Sequence, residues 1–339
     1  MNNLLQYIPY KKVILITMGD PAGCGPELIA KSIIDSKLKN NTIIFGDFNT
    51  LKEAFKLYKS NIANFVSYNK FEKGKICITG TPLNKKFNRK LAGKLNKDFG
   101  LHSVLWIKEA VNFSKNLLKL DIPHSLTTAP INKKSASLSG FKFSGHTDYL
   151  AYLYQKNSYS MMFIGNKLKT ILVTIHCSLI SAIKKLNQHL IIEKIKHANY
   201  TMKLLGYENP EILVSGLNPH ASENGLFGKE EENIIIPSVN YAKNIGINAK
   251  GPFSPDIIFL KSLKNKNSCV VSMYHDQALI AFKLLSFDEG VNLTIGLPIF
   301  RTSPDHGTAY DISWKGIASN KSFLKAYNIA VKLTGKKNK

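Results

Sequence analysis

KKVILITMGDPAGCGPELIAKSIIDSKLKNNTIIFGD, residues 11–47, decides the fold class. Its VILIT run is apolar, rich in β-branched residues and of strand length, which suits a strand buried on both faces. PELIAKSIIDSKL follows with helical spacing, and Pro26 stands in the first turn, where a missing N–H is harmless. NTIIFGD is a second buried strand. Strand, helix and strand at this spacing make a βαβ unit with parallel strands and a crossover helix.

The alternation continues in both directions from this stretch. TLKEAFKLY is a second helix, residues 61–100 are strand-like and loop-rich, HSVLWIKEAVNFSKNLL is a long helix and SLTTAP a short strand. YLAYLYQ is helical, MMFIG and KTILVTI are strands, and residues 178–206 hold two helices. EILVSGLNP, SCVVSMYHD and GVNLTIGLP read as strands. KEEENIIIPSVNYAKNIG, DQALIAFKLL and NKSFLKAYNIAVKLTG read as helices. The fold class is α/β, with mostly parallel sheets.

Composition narrows the function. The 339 residues are 44% hydrophobic and 20% charged, which is ordinary for a globular chain with sizeable cores. No stretch approaches the roughly 20 apolar residues of a membrane span. The start, MNNLLQYIPYKK, lacks the segment order of a secretory leader, so a cytoplasmic protein is expected. The four cysteines form no C-x-x-C pair and fit free thiols. The formal net charge of +23 raises the question of nucleic acid. The lysines are nonetheless dispersed among Asn and Ile, with no finger, aromatic platform or basic zipper. No nucleic-acid partner is expected, and the GKKNK tail reads as frayed.

Three histidines each follow an apolar strand: His176 after KTILVTI, His220 after EILVSGLNP and His275 after SCVVSMY. Open α/β sheets bind ligands beyond the carboxyl ends of their strands. Three imidazoles placed there can converge on a divalent metal, although any one of them alone is more often a core residue. MGDPAGCGPE (18–27) places Gly23 and Gly25 where a chain can turn tightly and approach a ligand. The same spacing equally suits a plain β-to-α connection, and it is not a dinucleotide fingerprint. In SGHTDYLA, His146 and Thr147 enter a helix and could hold an anion or simply cap it. The run Glu230 to Glu232 reads as structural, complementing a helix dipole. In YHDQALIAFK, Asp276 could orient an imidazole or move a proton, and Lys283 lies two turns on. Asn292 and Arg301 bracket a strand before a loop with Asp305, His306 and Gly307, and Arg301 could clamp a phosphate.

MGDPAGCGPE, TAPINK, SGHTDYLA, GLNPHASENG, INAKGPFSPD, MYHDQAL, GVNLTIGLP and RTSPDHGTA together resemble the blocks of the 4-hydroxythreonine-4-phosphate dehydrogenase family, in its order, over Val13 to Ser313. The resemblance implies a two-lobed α/β/α fold like isocitrate and isopropylmalate dehydrogenases, with the active site in the interdomain cleft. Lobes of 1–128 plus 290–339 and of 129–289 are expected. It implies metal ligands His176, His220 and His275, in a homodimer whose metal site is shared between subunits. Substrate contacts would be His146, Thr147, Lys283, Asn292, Arg301 and Asp256. Asp276 and His146 would be catalytic, and Gly23, Gly25, Asp305, His306 and Gly307 would contact cofactor. The cofactors would be Zn²⁺, Mg²⁺ or Co²⁺ and NAD or NADP. The implied reaction is oxidation of 4-phosphooxy-L-threonine in pyridoxine 5'-phosphate biosynthesis. A sister activity on D-threonate or D-erythronate 4-phosphate is the near alternative, and a basic nucleic-acid-binding protein on an inactive enzyme fold the distant one. Ala129, Asp148 and Cys24 depart from the commoner family pattern.

Overall fold

The computed structural model describes residues 8–338, so the readings of the first residues and of the last tail lysine lie outside it. The chain divides into two compact units, one of residues up to Asn157 together with Leu297–Asn338, the other Ser158–Gly296. In chain order the first unit holds β1 (Val13–Thr17), α1 (Gly25–Ile34), β2 (Thr42–Phe45), α2 (Phe48–Leu57), β3 (Val66–Tyr68), β4 (Ile76–Thr79), α3 (Lys97–Lys119), β5 (His124–Thr128), α4 (Lys133–Leu138) and α5 (His146–Tyr154). The second unit holds β6 (Ser160–Ile164), β7 (Lys169–Leu172), α6 (Leu179–Lys185), α7 (Gln188–Leu204), β8 (Glu211–Ser215), α8 (Ile236–Asn244), β9 (Ala249–Phe253), α9 (Ile258–Leu263), β10 (Ser268–Ser272), α10 (His275–Ser286) and β11 (Val291–Ile295). The chain then adds β12 (Arg301–Pro304) and α11 (Lys321–Leu333) to the first unit.

The first unit's strands run β3-β4-β2-β1-β5-β12, each pair parallel. The second unit's run β11-β6-β7-β10-β8-β9. There β7, β10, β8 and β9 are parallel, while β6 is antiparallel to β7 and β11. The GNK turn between β6 and β7 is too short for a crossover, so that pair must be antiparallel. No helix among the described residues is long and apolar enough to cross a membrane.

Local chemistry explains the elements. Every residue of β1 is buried, as its apolar run requires. Asn96 caps α3 by accepting from the N–H groups of Asp98 at 2.9 Å and Phe99 at 3.2 Å. Trp106, Phe113 and Leu117 of α3 are buried in the first unit's core. In the second unit Phe163, Leu172, Leu213, Val270 and Phe282 form part of one apolar cluster.

Four details differ from the sequence reading. RTSP is itself strand β12, with Arg301 at its head, and INAKGPF carries β9. NKKSASL supplies the short helix α4. Glu231–Ile235 form a π-type turn ahead of α8. The unit boundaries also fall elsewhere. The expected second-lobe segment 129–157 stays with the first unit because α4 and α5 pack on α3, and the Tyr154 hydroxyl donates to Ser114 Oγ at 2.6 Å. Residues 290–296 stay with the second unit because β11 pairs with β6.

The MGDPAGCGPE turn is locked to the loop after β12. Cys24 N–H donates to the Thr308 carbonyl at 2.9 Å. A Cβ on Gly23 would lie 2.9 Å from Thr308 Cβ, and one on Gly25 would lie 2.3 Å from the Met18 carbonyl oxygen. Glu27, buried in the first turn of α1, accepts from the N–H groups of Trp314 at 2.9 Å and Gly316 at 3.0 Å. Asp20 is buried and accepts from Ala22 N–H at 2.8 Å and the Tyr310 hydroxyl at 2.9 Å. Burial nevertheless pushes its carboxyl up to about 6.

Gly25→Ala, driving a methyl into a carbonyl, should cost about 1–3 kcal/mol in denaturant unfolding. Gly307→Ala, with nothing within 4 Å of its Cβ, should stay within about 0.5 kcal/mol of the parent. For Asp20, the folded chain keeps between 3.8 and about 6 a proton that the unfolded chain has released. Stability from this group therefore falls as pH rises through that window, by up to about 3 kcal/mol. Asp20→Asn should flatten melting temperature against pH there, and an unchanged slope would refute this account.

Candidate active site

Consecutive parallel strands of the second unit deliver the three histidines. In the order β7-β10-β8-β9, His176 lies just beyond β7, His275 beyond β10 and His220 beyond β8, with Asp256 beyond β9. Neighbouring strands lie about 4.8 Å apart, so these side chains leave one edge of one sheet. Among the described residues, no three His, Cys, Asp or Glu side chains are close enough to hold a metal ion. The chain thus places the expected ligands side by side without closing a site around them.

Each ligand candidate has its own support. His275 Nδ1 lies 2.8 Å from Asp276 Oδ1. A carboxylate there favours a proton on Nδ1 and leaves Nε2 with its lone pair available to a metal. His275 and the residues flanking His176, including Cys177, line a cavity of about 90 Å³. His176 has φ of 49° and His220 of 52°, in the left-handed region. Positive φ continues from His220 through Asn224. Such strain persists only where the surroundings enforce it, and it concentrates at functional sites. Glu231 holds the stretch that leads into this run. It is buried and accepts from Leu217 N–H at 2.7 Å, Asn218 N–H at 2.8 Å and Asn218 Nδ2 at 2.9 Å. Asp256 accepts from the Ser254 hydroxyl, which together with the nearby His220 holds its carboxyl below the usual range.

The first unit builds a different environment. Arg301 is 3% exposed, and its Nε and Nη2 donate to Thr128 Oγ1 at 3.1 and 2.6 Å. No carboxylate pairs with it among the described residues. Burial pushes its guanidinium down to about 9, so it stays charged at neutral pH. Nearby, α5 begins at His146, capped by Gly145 with no side-chain hydrogen bond. His146 Nε2 is sealed from solvent and has no hydrogen-bond partner among the described residues. Burial first, then the charges of Arg301 and Lys133, hold this imidazole well below the usual range, and it is neutral. Thr147 is buried beside it. An unpaired buried cation, an orphaned imidazole nitrogen and an open helix N-terminus all call for an anion.

The remaining candidates are scattered. Asn292 lies on β11, and its Oδ1 is buried without a partner among the described residues. Lys283 sits on α10, its Nζ 5.9 Å from the Phe287 ring centroid. At Gly23 and Gly25 the space a side chain would take is filled by the chain's own Thr308 and Met18, and the first turn of α1 is buried, so close packing within the chain already requires both glycines. His306 Nδ1 lies 2.9 Å from the Gly307 carbonyl oxygen, and Gly307 stands in open space. Sequence reasoning gave no role to Lys133, Thr128 or Asp20, and it read Glu231, within the run Glu230 to Glu232, as structural. The first three lie within the TAPINK and MGDPAGCGPE blocks, but what gives them meaning, Arg301, His146 and Tyr310, lies on distant segments.

The model of the family described as pyridoxal phosphate biosynthetic protein PdxA matches residues 38–330. The chain is 39% identical to 4-hydroxythreonine-4-phosphate dehydrogenase of Desulforapulum autotrophicum, over 94% of this chain and 95% of that one. It is 38% identical to D-threonate 4-phosphate dehydrogenase of Pectobacterium atrosepticum, over 95% and 99%. The crystal structure of 4-hydroxythreonine-4-phosphate dehydrogenase from Klebsiella pneumoniae superposes with a TM-score of 0.77 at 36% identity, covering 94% of this chain and 98% of that one. Along nearly its whole length, the chain belongs to the PdxA family of dehydrogenases.

Proposed function

We propose that the chain catalyses NAD(P)-linked, metal-assisted oxidation of 4-phosphooxy-L-threonine to 2-amino-3-oxo-4-phosphooxybutanoate, which loses CO₂ to give 3-amino-2-oxopropyl phosphate, in pyridoxine 5'-phosphate biosynthesis. The observation that carries this reading is the buried Arg301 guanidinium without a carboxylate, beside the orphaned Nε2 of His146. That is an anion site in a chain whose relatives are named for phosphorylated hydroxy acids. Relatives bearing the two names stand equally near at 39% and 38% identity, so D-threonate or D-erythronate 4-phosphate is the competing substrate.

In the first unit we assign Arg301, His146 and Thr147 to the substrate's anionic group. Arg301 supplies charge, and the neutral His146 supplies a hydrogen bond without competing for protons. In the second unit we assign Lys283, Asn292 and Asp256 to substrate, and the orphaned Asn292 Oδ1 supports that role. His176, His220 and His275 would hold a divalent ion, Zn²⁺, Mg²⁺ or Co²⁺. Imidazoles fit Zn²⁺ or Co²⁺ in donor type better than Mg²⁺, which prefers oxygen ligands, and the Asp276 contact presents His275 through Nε2. A divalent ion supplies Lewis acidity to the hydroxyl being oxidised. The NAD(P) nicotinamide supplies the hydride acceptor, and the open space at Gly307 beside Asp305 and His306 fits a cofactor contact. Asp276, 74% exposed in its side chain, is the proposed proton acceptor as well as the group that orients His275.

We infer from the family resemblance a homodimer whose metal site is shared between subunits. Leu179 and Ile180 at α6, Leu260 on α9, and Ile280, Leu284 and Phe287 at α10 are exposed apolar side chains of this unit, which burial against a second copy would take out of water. The four cysteines are unpaired, which fits the reducing cytoplasm.

NADH or NADPH formation should be faster with 4-phosphooxy-L-threonine than with either sugar-acid phosphate, and the reverse order would move the chain to the sister activity. Asp276→Asn should weaken metal binding about 10–100-fold in equilibrium dialysis. Arg301→Lys keeps the charge and loses the fork, so it should raise KM far more than it lowers kcat. An unchanged KM would remove Arg301 from the substrate site.

A further inference from the structure

We propose that Lys133, at the start of α4, supplies the second positive charge of the anion site at the N-terminus of α5, matching that site to the substrate's doubly charged phosphate. The inference rests on reading Arg301 and His146 as the substrate's anion site. Geometry brings Lys133 there. A Cβ built on Gly145, the N-cap of α5, would have the Lys133 Cε at 3.8 Å and nothing nearer. The lysine's far end therefore lies over the helix entrance. Gly145 is also unlike Gly25, since no backbone of its own chain fills the space its missing side chain leaves.

Charge balance says why a second cation is needed. A phosphate monoester carries about −1.5 to −2 at neutral pH. Arg301 contributes one unit, and a helix N-terminus about half a unit. His146 adds a hydrogen bond but no charge, because burial and its two cationic neighbours keep it neutral. Without Lys133 these groups would suffice for a carboxylate and fall short of a phosphate dianion. The division of labour follows from exposure. Arg301 is buried and held by Thr128, whereas Lys133 is exposed and can close on the ligand as it arrives. Sequence spacing hides the pairing, since Lys133 and Arg301 lie in blocks far apart in the chain.

The test is calorimetric titration of the full-length protein with inorganic phosphate at about pH 8, where the probe is a dianion. Lys133→Gln should weaken phosphate binding about 10–100-fold, the worth of a lost charge-assisted contact, and Lys133→Arg should restore most of it. In steady state Lys133→Gln should raise KM for the phosphorylated substrate with kcat largely kept. Its melting temperature should match the parent, because the side chain is exposed. If Lys133→Gln binds phosphate like the parent while Arg301→Lys binds it more weakly, the role of Lys133 is overturned and the anion site stands. If Lys133→Arg binds as poorly as Lys133→Gln, charge is not what the residue supplies, and the proposal also fails. If neither Lys133→Gln nor Arg301→Lys changes phosphate binding, or the parent binds none, the anion site itself is misplaced.

Discussion

A parallel strand cannot turn straight back beside its neighbour. It must leave by the sheet's carboxyl edge and return through a crossover. Chemistry in this chain depends on that constraint, because each crossover begins at the same edge and donates its first residues to a common strip. In the second unit the strip collects His176, His275, His220 and Asp256 from β7, β10, β8 and β9. In the first unit the exits of β1, β5 and β12 carry Asp20, the Thr128–Lys133 segment and the loop of Asp305 to Gly307. Residues far apart in the chain become neighbours at no cost beyond folding the sheet.

The two units spend stability differently on their strips. The first buries charges that are only partly compensated: the Asp20 carboxyl is raised and the Arg301 guanidinium lowered, each mainly by loss of water. The second carries backbone strain from His220 through Asn224, directly after the Leu217–Asn218 stretch that the buried Glu231 carboxylate holds. Both expenditures oppose folding, and the apolar cores around β1 and α3 and around Phe163 and Phe282 offset them.

How much of this was legible depended on the range of the interaction. Buried parallel strands announce themselves locally, so VILIT, SCVVS and the helices between them could be placed from periodicity alone. Strand-end histidines were legible for the same reason, since the position after an apolar run is a local property. Strands β9 and β12 were not, because AKGPF and RTSP contain proline and polar residues and become strands only by pairing with β8 and β5. The glycines of MGDPAGCGPE left two readings open because a missing side chain looks the same in sequence whether a ligand or the chain's own carbonyl lies beside it. Lys133 escaped notice because its significance lies in charges contributed by residues distant in sequence.

The contact between Gly23 and Thr308 ties together two distant stretches of the chain. One segment lies near the start and the other near the end, yet a side chain added at Gly23 would collide with the Thr308 Cβ, and the Cys24 amide is spoken for by the Thr308 carbonyl. A bulkier residue at position 23 therefore requires the distant loop to shift, and a shift of that loop strains the Cys24 amide bond, so a local change near one end of the chain is felt near the other.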